Sequence, residues 1–277
     1  MAYPTVSAPY GLKPVNLIGG QVFAGSTRNY PIQYGYATDI FYGDLVNLAR
    51  GSVTKNTDTT DSTGTGMVGV FLGVSYTNPT TKQKQFAQYW PAGTAAGDAQ
   101  AIVCDDPDTV FKVVMCSATT VIASASTAML GQNFGLIQNA GNVNTGDSAV
   151  AALYSASTTS ADLALRVVGL VGETAVTSST VGSSSSTTIT CTALPSALVV
   201  GTEVGYIAAN GQYIQSGSYV SVAAAAGATS VTINSAIAVP GSVTAIPSSS
   251  TIVFTQYPEM YVKLNFGTHS YYTGTAV

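Results

Sequence analysis

The sequence predicts a mainly β protein in which a small β module interrupts a larger host domain. Three observations carry that expectation. Short runs alternate between two faces: Val68, Val70, Leu72, Val74 and Tyr76 interleave with Gly69, Phe71, Gly73 and Ser75, and Leu163, Leu165, Val167, Gly169, Val171 and Met260, Val262, Leu264, Phe266 repeat the spacing. A period of two places each set on one side of an extended strand. Turn formers punctuate these runs at Gly43-Asp44, Arg50-Gly51-Ser52, Asn78-Pro79, Pro91-Ala92-Gly93, Ala140-Gly141-Asn142 and Thr145-Gly146-Asp147. Finally, the stretch 174–256 holds one charged side chain, Glu203, among Ser, Thr, Ala, Val and Gly, and the richer aromatic and charged composition returns at Tyr257. An insertion explains that return better than a tandem arrangement. The expected division is an extended arm over 1–20, a β host domain over 21–175 and 256–277, and a Ser/Thr/Ala-rich β module over 176–255.

Each element has its local reason. In the arm, Tyr3-Pro4, Pro9-Tyr10-Gly11, Lys13-Pro14 and Gly19-Gly20 rule out a helix and argue against a central strand, because proline fixes φ and removes a donor. The arm straps either its own domain or a neighbouring subunit. Asp105-Asp106-Pro107-Asp108 reads as a polar turn between strands at 99–104 and 110–115. The Ala- and Ser-rich stretch 117–131 has room for one or two helical turns ending at Gly131. The serine tract 178–186 reads as a flexible connector into the module. Module strands are expected at 188–192, 203–207, 219–222, 230–234 and 251–255.

Composition narrows the function. Only 8% of the 277 residues are charged, against about a quarter in an average soluble domain. Charge keeps proteins apart, so its scarcity suggests surfaces meant to meet others. The nine basic residues are scattered, only Lys82 and Lys84 sit close together, and the formal charge is −4. Nucleic-acid binding is disfavoured, since phosphate contacts need clustered Lys and Arg. No window approaches the ~18 consecutive apolar residues of a membrane span. The N-terminal residues lack the basic start and apolar run of a secretory signal, so synthesis without export is expected. Cys104, Cys116 and Cys191 form no Cys-x-x-Cys pair and are expected to be small buried hydrophobes.

Motifs for chemistry are sparse. His269 is the single histidine, with no nucleophile motif or second metal-binding histidine beside it. Asp105, Asp106 and Asp108 have oxygen ligands that suit calcium but lack the spacing and Glu of an EF-hand. Gly64-Thr65-Gly66 lacks the Lys-Ser or Lys-Thr of a phosphate loop. The sixteen tyrosines and Tyr89-Trp90 can stack sugars, yet such residues are also favoured at protein interfaces, and interface use is the preferred reading. No catalytic, cofactor-binding or metal-binding residue is assigned.

Several runs resemble one family. They are 8–16 (Ala-Pro-Tyr-Gly-Leu-Lys-Pro-Val-Asn), 43–48 (Gly-Asp-Leu-Val-Asn-Leu), 68–74 (Val-Gly-Val-Phe-Leu-Gly-Val), 76–82, 89–93 and 105–108, with 166–170 and 261–265 as closing strands. Together they resemble the decoration (cement) proteins on the heads of tailed bacteriophages. The likeness covers the host part, and the module resembles small β modules of phage surface and fibre proteins.

The resemblance implies a β-tulip-like or related β-barrel fold and a homotrimer. It also implies a virion location on the outer face of the major capsid protein lattice, bridging neighbouring capsomers against internal DNA pressure, with no enzymatic role, cofactor, nucleic acid or membrane. Tyr3, Pro4, Pro9, Tyr10, Leu12, Tyr89, Trp90, Tyr271 and Tyr272 are the candidate inter-subunit contacts. Removing the first fourteen residues is expected to weaken particle attachment more than folding. The alternative is a host-recognition or adhesive protein whose module binds cell-surface glycans.

Overall fold

The computed structural model describes residues 6–57, 66–158, 163–235, 237, 245–265 and 269, with backbone alone at 155–158. The protein is nearly all β, with nineteen strands and no α-helix among the described residues. In chain order the strands are β1 (Lys13–Leu17), β2 (Arg28–Pro31), β3 (Leu45–Ala49), β4 (Ser52–Lys55), β5 (Met67–Thr77), β6 (Lys84–Ala87) and β7 (Gln100–Cys104). There follow β8 (Thr109–Ala118), β9 (Val121–Ile122), β10 (Asn133–Ile137), β11 (Ala151–Thr158) and β12 (Leu165–Leu170). The chain continues through β13 (Val176–Ser185), β14 (Thr188–Cys191), β15 (Glu203–Ile207), β16 (Tyr213–Tyr219), β17 (Ser230–Thr232), β18 (Ser250–Gln256) and β19 (Glu259–Leu264).

These strands form three sheets, and each sheet closes on itself. In the first, β2-β7-β5-β3-β4 run in order with β6 beside β5, and a bridge between Ile32 and Val53 joins the two ends. In the second, β8 is the spine: it pairs with β19 and also, in parallel, with β11, so that β8-β11-β10-β12-β19 make a ring with β1 and β9 attached. In the third, β16-β15-β18-β13-β14-β17 are antiparallel throughout and close through a bridge between Val220 and Ile233. Closure removes the unpaired strand edges that otherwise template association. The residues expected to form one host domain therefore build two barrels, the chain passing from the second to the first after β1 and back through the acidic turn after β7.

Each barrel has its own apolar filling. Ile40, Val46, Phe71 and Trp90 fill the first, Phe111, Met115, Phe134 and Leu165 the second, and Ile189, Val204, Ile252 and Phe254 the third. The core of the second also takes in Leu45, Met67, Val70 and Cys104 from strands of the first or the residues flanking them, so those two barrels share a wall. The third is entered and left through neighbouring strands, with Val176 opposite Gln256 across seven antiparallel pairs.

The structure refines several expectations. The serine tract is no connector: it is β13, ten residues long, paired with β14 and β18. Ser and Thr are compact enough to sit in a sheet interior, and Val176, Thr180 and Ser184 point inward at a spacing of four. The extended arm lies on its own chain, its residues 13–17 forming the edge strand β1 against β8. Pro14 is accommodated there at an irregularity on an edge strand, where its missing donor costs nothing. The stretch 117–131 holds only a single 3₁₀ turn at Thr127–Met129 after the short β9, and the Tyr219 strand starts earlier than expected, at Tyr213.

Candidate functional site

The N-terminal strap and the barrel face beneath it form the most elaborate surface arrangement. Strand alternation turns Phe111, Val113 and Met115 into the second barrel, which sends Lys112, Val114 and Cys116 to its outside. Val114, Cys116 and Ala151 make an apolar strip there, and Val6, Tyr10, Ile122 and Ile137 pack on it. Tyr10 donates its hydroxyl to Glu259 Oε1, and Lys112 Nζ lies 3.4 Å from the same oxygen. Burial, then the bond to Glu259 and its charge, raise the Tyr10 hydroxyl well above the ordinary tyrosine range. Lys13 pairs with Asp147 at 2.7 Å and lies over the Tyr42 ring at 4.1 Å.

The candidate contact residues divide on inspection. Leu12 and Trp90 are each 0% exposed, so neither offers surface to a neighbouring subunit. Leu12 belongs to the core of the second barrel and Trp90 to that of the first, where its indole N–H donates to Tyr36 O. Pro9 is buried as well. An aromatic or aliphatic residue beside proline reads as sticky surface in sequence, but here the turn aims it inward. Tyr10 and Tyr89 are half-buried, Tyr89 stacked on Phe41 with ring centroids 5.4 Å apart. Tyr3, Pro4, Tyr271 and Tyr272 lie outside the described residues. Because Leu12 is core, deletion of fourteen residues would strike folding directly, contrary to the expectation above.

Sequence reading missed which carboxylates are buried. Asp44 is wholly buried, accepting from Phe41 N–H at 2.8 Å and Ser148 Oγ at 2.5 Å, with Lys55 Nζ at 2.9 Å. It ties the first barrel to the loop before β11. Asp105 turns inward to Tyr30 Oη at 2.7 Å and Arg28 Nε at 3.3 Å, while Asp106 accepts from Asp108 N–H and Asp108 lies 3.5 Å from Lys263. The three aspartates are thus spread over separate partners, and no cluster suited to a metal ion occurs among the described residues. His269 is buried close to Asp105, bridged to Met67, and burial lowers its pKa. Burial also pushes the thiols of Cys104 and Cys116 up to about 11.

Glu203, the one charge of the module, is buried at the joint with the second barrel, where it accepts from Thr127 N–H at 3.1 Å. Around it Ser124 N–H donates to Val200 O at 2.8 Å, Gln215 Nε2 donates to Thr127 Oγ1, and Tyr154 meets Tyr219 edge to face. Gly201 sits at φ +83, and a Cβ there would fall 1.8 Å from Ser124 O. Only glycine permits this approach. The module is therefore docked, and its single charge is spent on the docking. A groove on the module is lined by residues that include Tyr206, Ile207, Ile214 and Ser248 to Thr251.

No helix among the described residues is long and apolar enough to cross a membrane. Comparison with known proteins finds no matching family model, no matching curated protein and no matching solved structure.

Proposed function

We propose that this chain is a capsid decoration protein of a tailed bacteriophage: a homotrimer that binds the outer face of the major capsid protein lattice and bridges capsomers. The observation that supports it most is how charge is used. Six of the nine basic residues, Lys13, Arg28, Lys55, Lys84, Lys112 and Lys263, are engaged in ion pairs within the subunit. What remains outside is a sparsely charged surface, with Arg50, Lys82, Arg166 and Glu173 among its few charges, and apolar points such as Val22, Phe86 and Tyr34, exposed by 80%, 79% and 66%. Such a surface suits many modest contacts repeated by symmetry, which multivalency turns into firm retention. It offers little to a polyanion. Fused, closed barrels supply the stiffness that a clamp over a pressurised shell needs.

Cryo-electron microscopy of the particle tests this. Regular density across the shell, bridging several capsid subunits, is the expected result, and density confined to a tail or single vertex overturns it. The second reading, host recognition through surface glycans, draws on the Ser- and Thr-containing groove of the module. It predicts the tail or vertex location.

A further inference from the structure

We infer that the strap over residues 6–10 exchanges between copies of this chain, each barrel accepting on its outer face the strap of a neighbour. This deepens the homo-oligomer part of the reading above and rests on it. The observation behind it is a sharp change in how the chain is held at Gly11. From Gly11 onward the main chain is pinned: Gly11 N–H donates to Val150 O at 3.1 Å, Leu12 N–H donates to Gly43 O at 3.0 Å, and Lys13 begins the strand against β8. Before Gly11, among the described residues, 6–10 make no backbone-to-backbone hydrogen bond. They are held by the apolar seating of Val6 and Tyr10 and by the Tyr10 hydroxyl on Glu259.

Gly11 itself has φ +79, and a Cβ would lie 2.7 Å from Ser148 Cβ and 2.9 Å from Gly43 O. It is a left-handed corner between a fixed strand and a side-chain-held strap, which is where a hinge belongs. The seat cannot stay empty without cost, because lifting the strap would expose Val114, Cys116 and Ala151 and the Glu259 carboxylate. The segment that fits this seat is already known, since the chain's own residues fill it. An identical segment from a second copy makes every one of the same contacts. The closed and exchanged forms then differ only in the hinge and in effective concentration, the condition under which terminal segments swap. Low surface charge removes the repulsion that would keep two copies apart.

Cys116 in the seat makes the test direct. One full-length chain carries Val6→Cys together with Cys116→Ala; the other is the unaltered chain with a distinguishing mass tag. Both are mixed, left to exchange and oxidised, and Ser7→Cys and Ala8→Cys are tried in the same way. Val6→Cys alone, with Cys116 kept, reports closure within one chain. Exchange predicts a covalent heterodimer whose disulfide maps to the strap and Cys116 and whose yield rises with protein concentration. A disulfide that forms only within single chains overturns the inference. So does the absence of a disulfide at all three positions, because the strap would then not lie on Cys116. The experiment uses the protein away from any particle, so its failure leaves capsid binding standing.

Discussion

The first two barrels and the third solve the same packing problem with different chemistry. In the first two, buried hydroxyls and amides are accompanied by carboxylates held by lysine, arginine or tyrosine, as at Asp44 and Asp105 and, beneath the strap, Glu259. In the third the polar groups inside are hydroxyls returned to nearby carbonyls, as Thr180 Oγ1 to Thr192 O at 2.9 Å and Ser216 Oγ to Val204 O. A hydroxyl carries its own donor and acceptor and needs no distant partner. A buried carboxylate requires one from elsewhere in the chain. The ionic barrels are consequently cross-tied, Asp44 to Ser148 and Tyr10 to Glu259, whereas the hydroxyl barrel is self-contained and joins its host through Glu203 and Gly201.

That contrast can be broken by substitution. Asp44→Ala leaves Lys55 buried without its carboxylate and is expected to cost about 3–5 kcal/mol, read by urea denaturation. Gly201→Ala drives a methyl into the Ser124 carbonyl. It is expected to cost about 1–3 kcal/mol, and limited proteolysis should cut first at the joint with the module. Thr180→Val removes one hydroxyl bond and is expected to cost only about 1 kcal/mol. A Thr180 effect as large as that of Asp44 would erase the distinction between the two kinds of interior.

The remaining tests are gentler. His269 has a lowered pKa in the folded protein, from burial first. The unfolded chain therefore binds the proton more readily. The stability this represents is complete above the ordinary histidine value of 6.5 and is lost as pH falls through it toward the folded value. Melting temperatures measured from pH 8 to pH 5 should fall less steeply for His269→Gln than for the parent. The smallest expected signal is chemical: with thiols buried and raised, Cys104 and Cys116 should react with a thiol reagent at pH 8 only as fast as the protein opens. Prompt reaction of Cys116 would instead report a mobile strap.

Particular residues show how far sequence reading reached. The strand expected at 203–207 is β15 with the same ends, because alternation and flanking turns there are local signals. The turn at 105–108 and the strands on either side of it were equally legible. The tract 178–186 was misread because low complexity suggests flexibility, while β13 owes its order to β14 and β18, strands distant in the chain or unremarkable in composition. Trp90 and Leu12 looked like contact residues because composition does not say which way a side chain points. Gly43-Asp44 was rightly read as a turn, but nothing nearby announced that Asp44 is buried, since its partners Lys55 and Ser148 come from other elements.

Local chemistry alone thus determined the β class, the positions of most turns and the economy of charge, because backbone preference and alternation act over a few residues. Tertiary structure decided that the host part is two barrels, that each sheet closes, that the strap lies over Cys116, and that a few of the scarce charges, Asp44, Asp105, Glu203 and Glu259, are buried. Those outcomes depend on pairings such as β8 with β11 and β19, and on the burial they create. Residues far apart in sequence set them, and no local signal records which strands will meet.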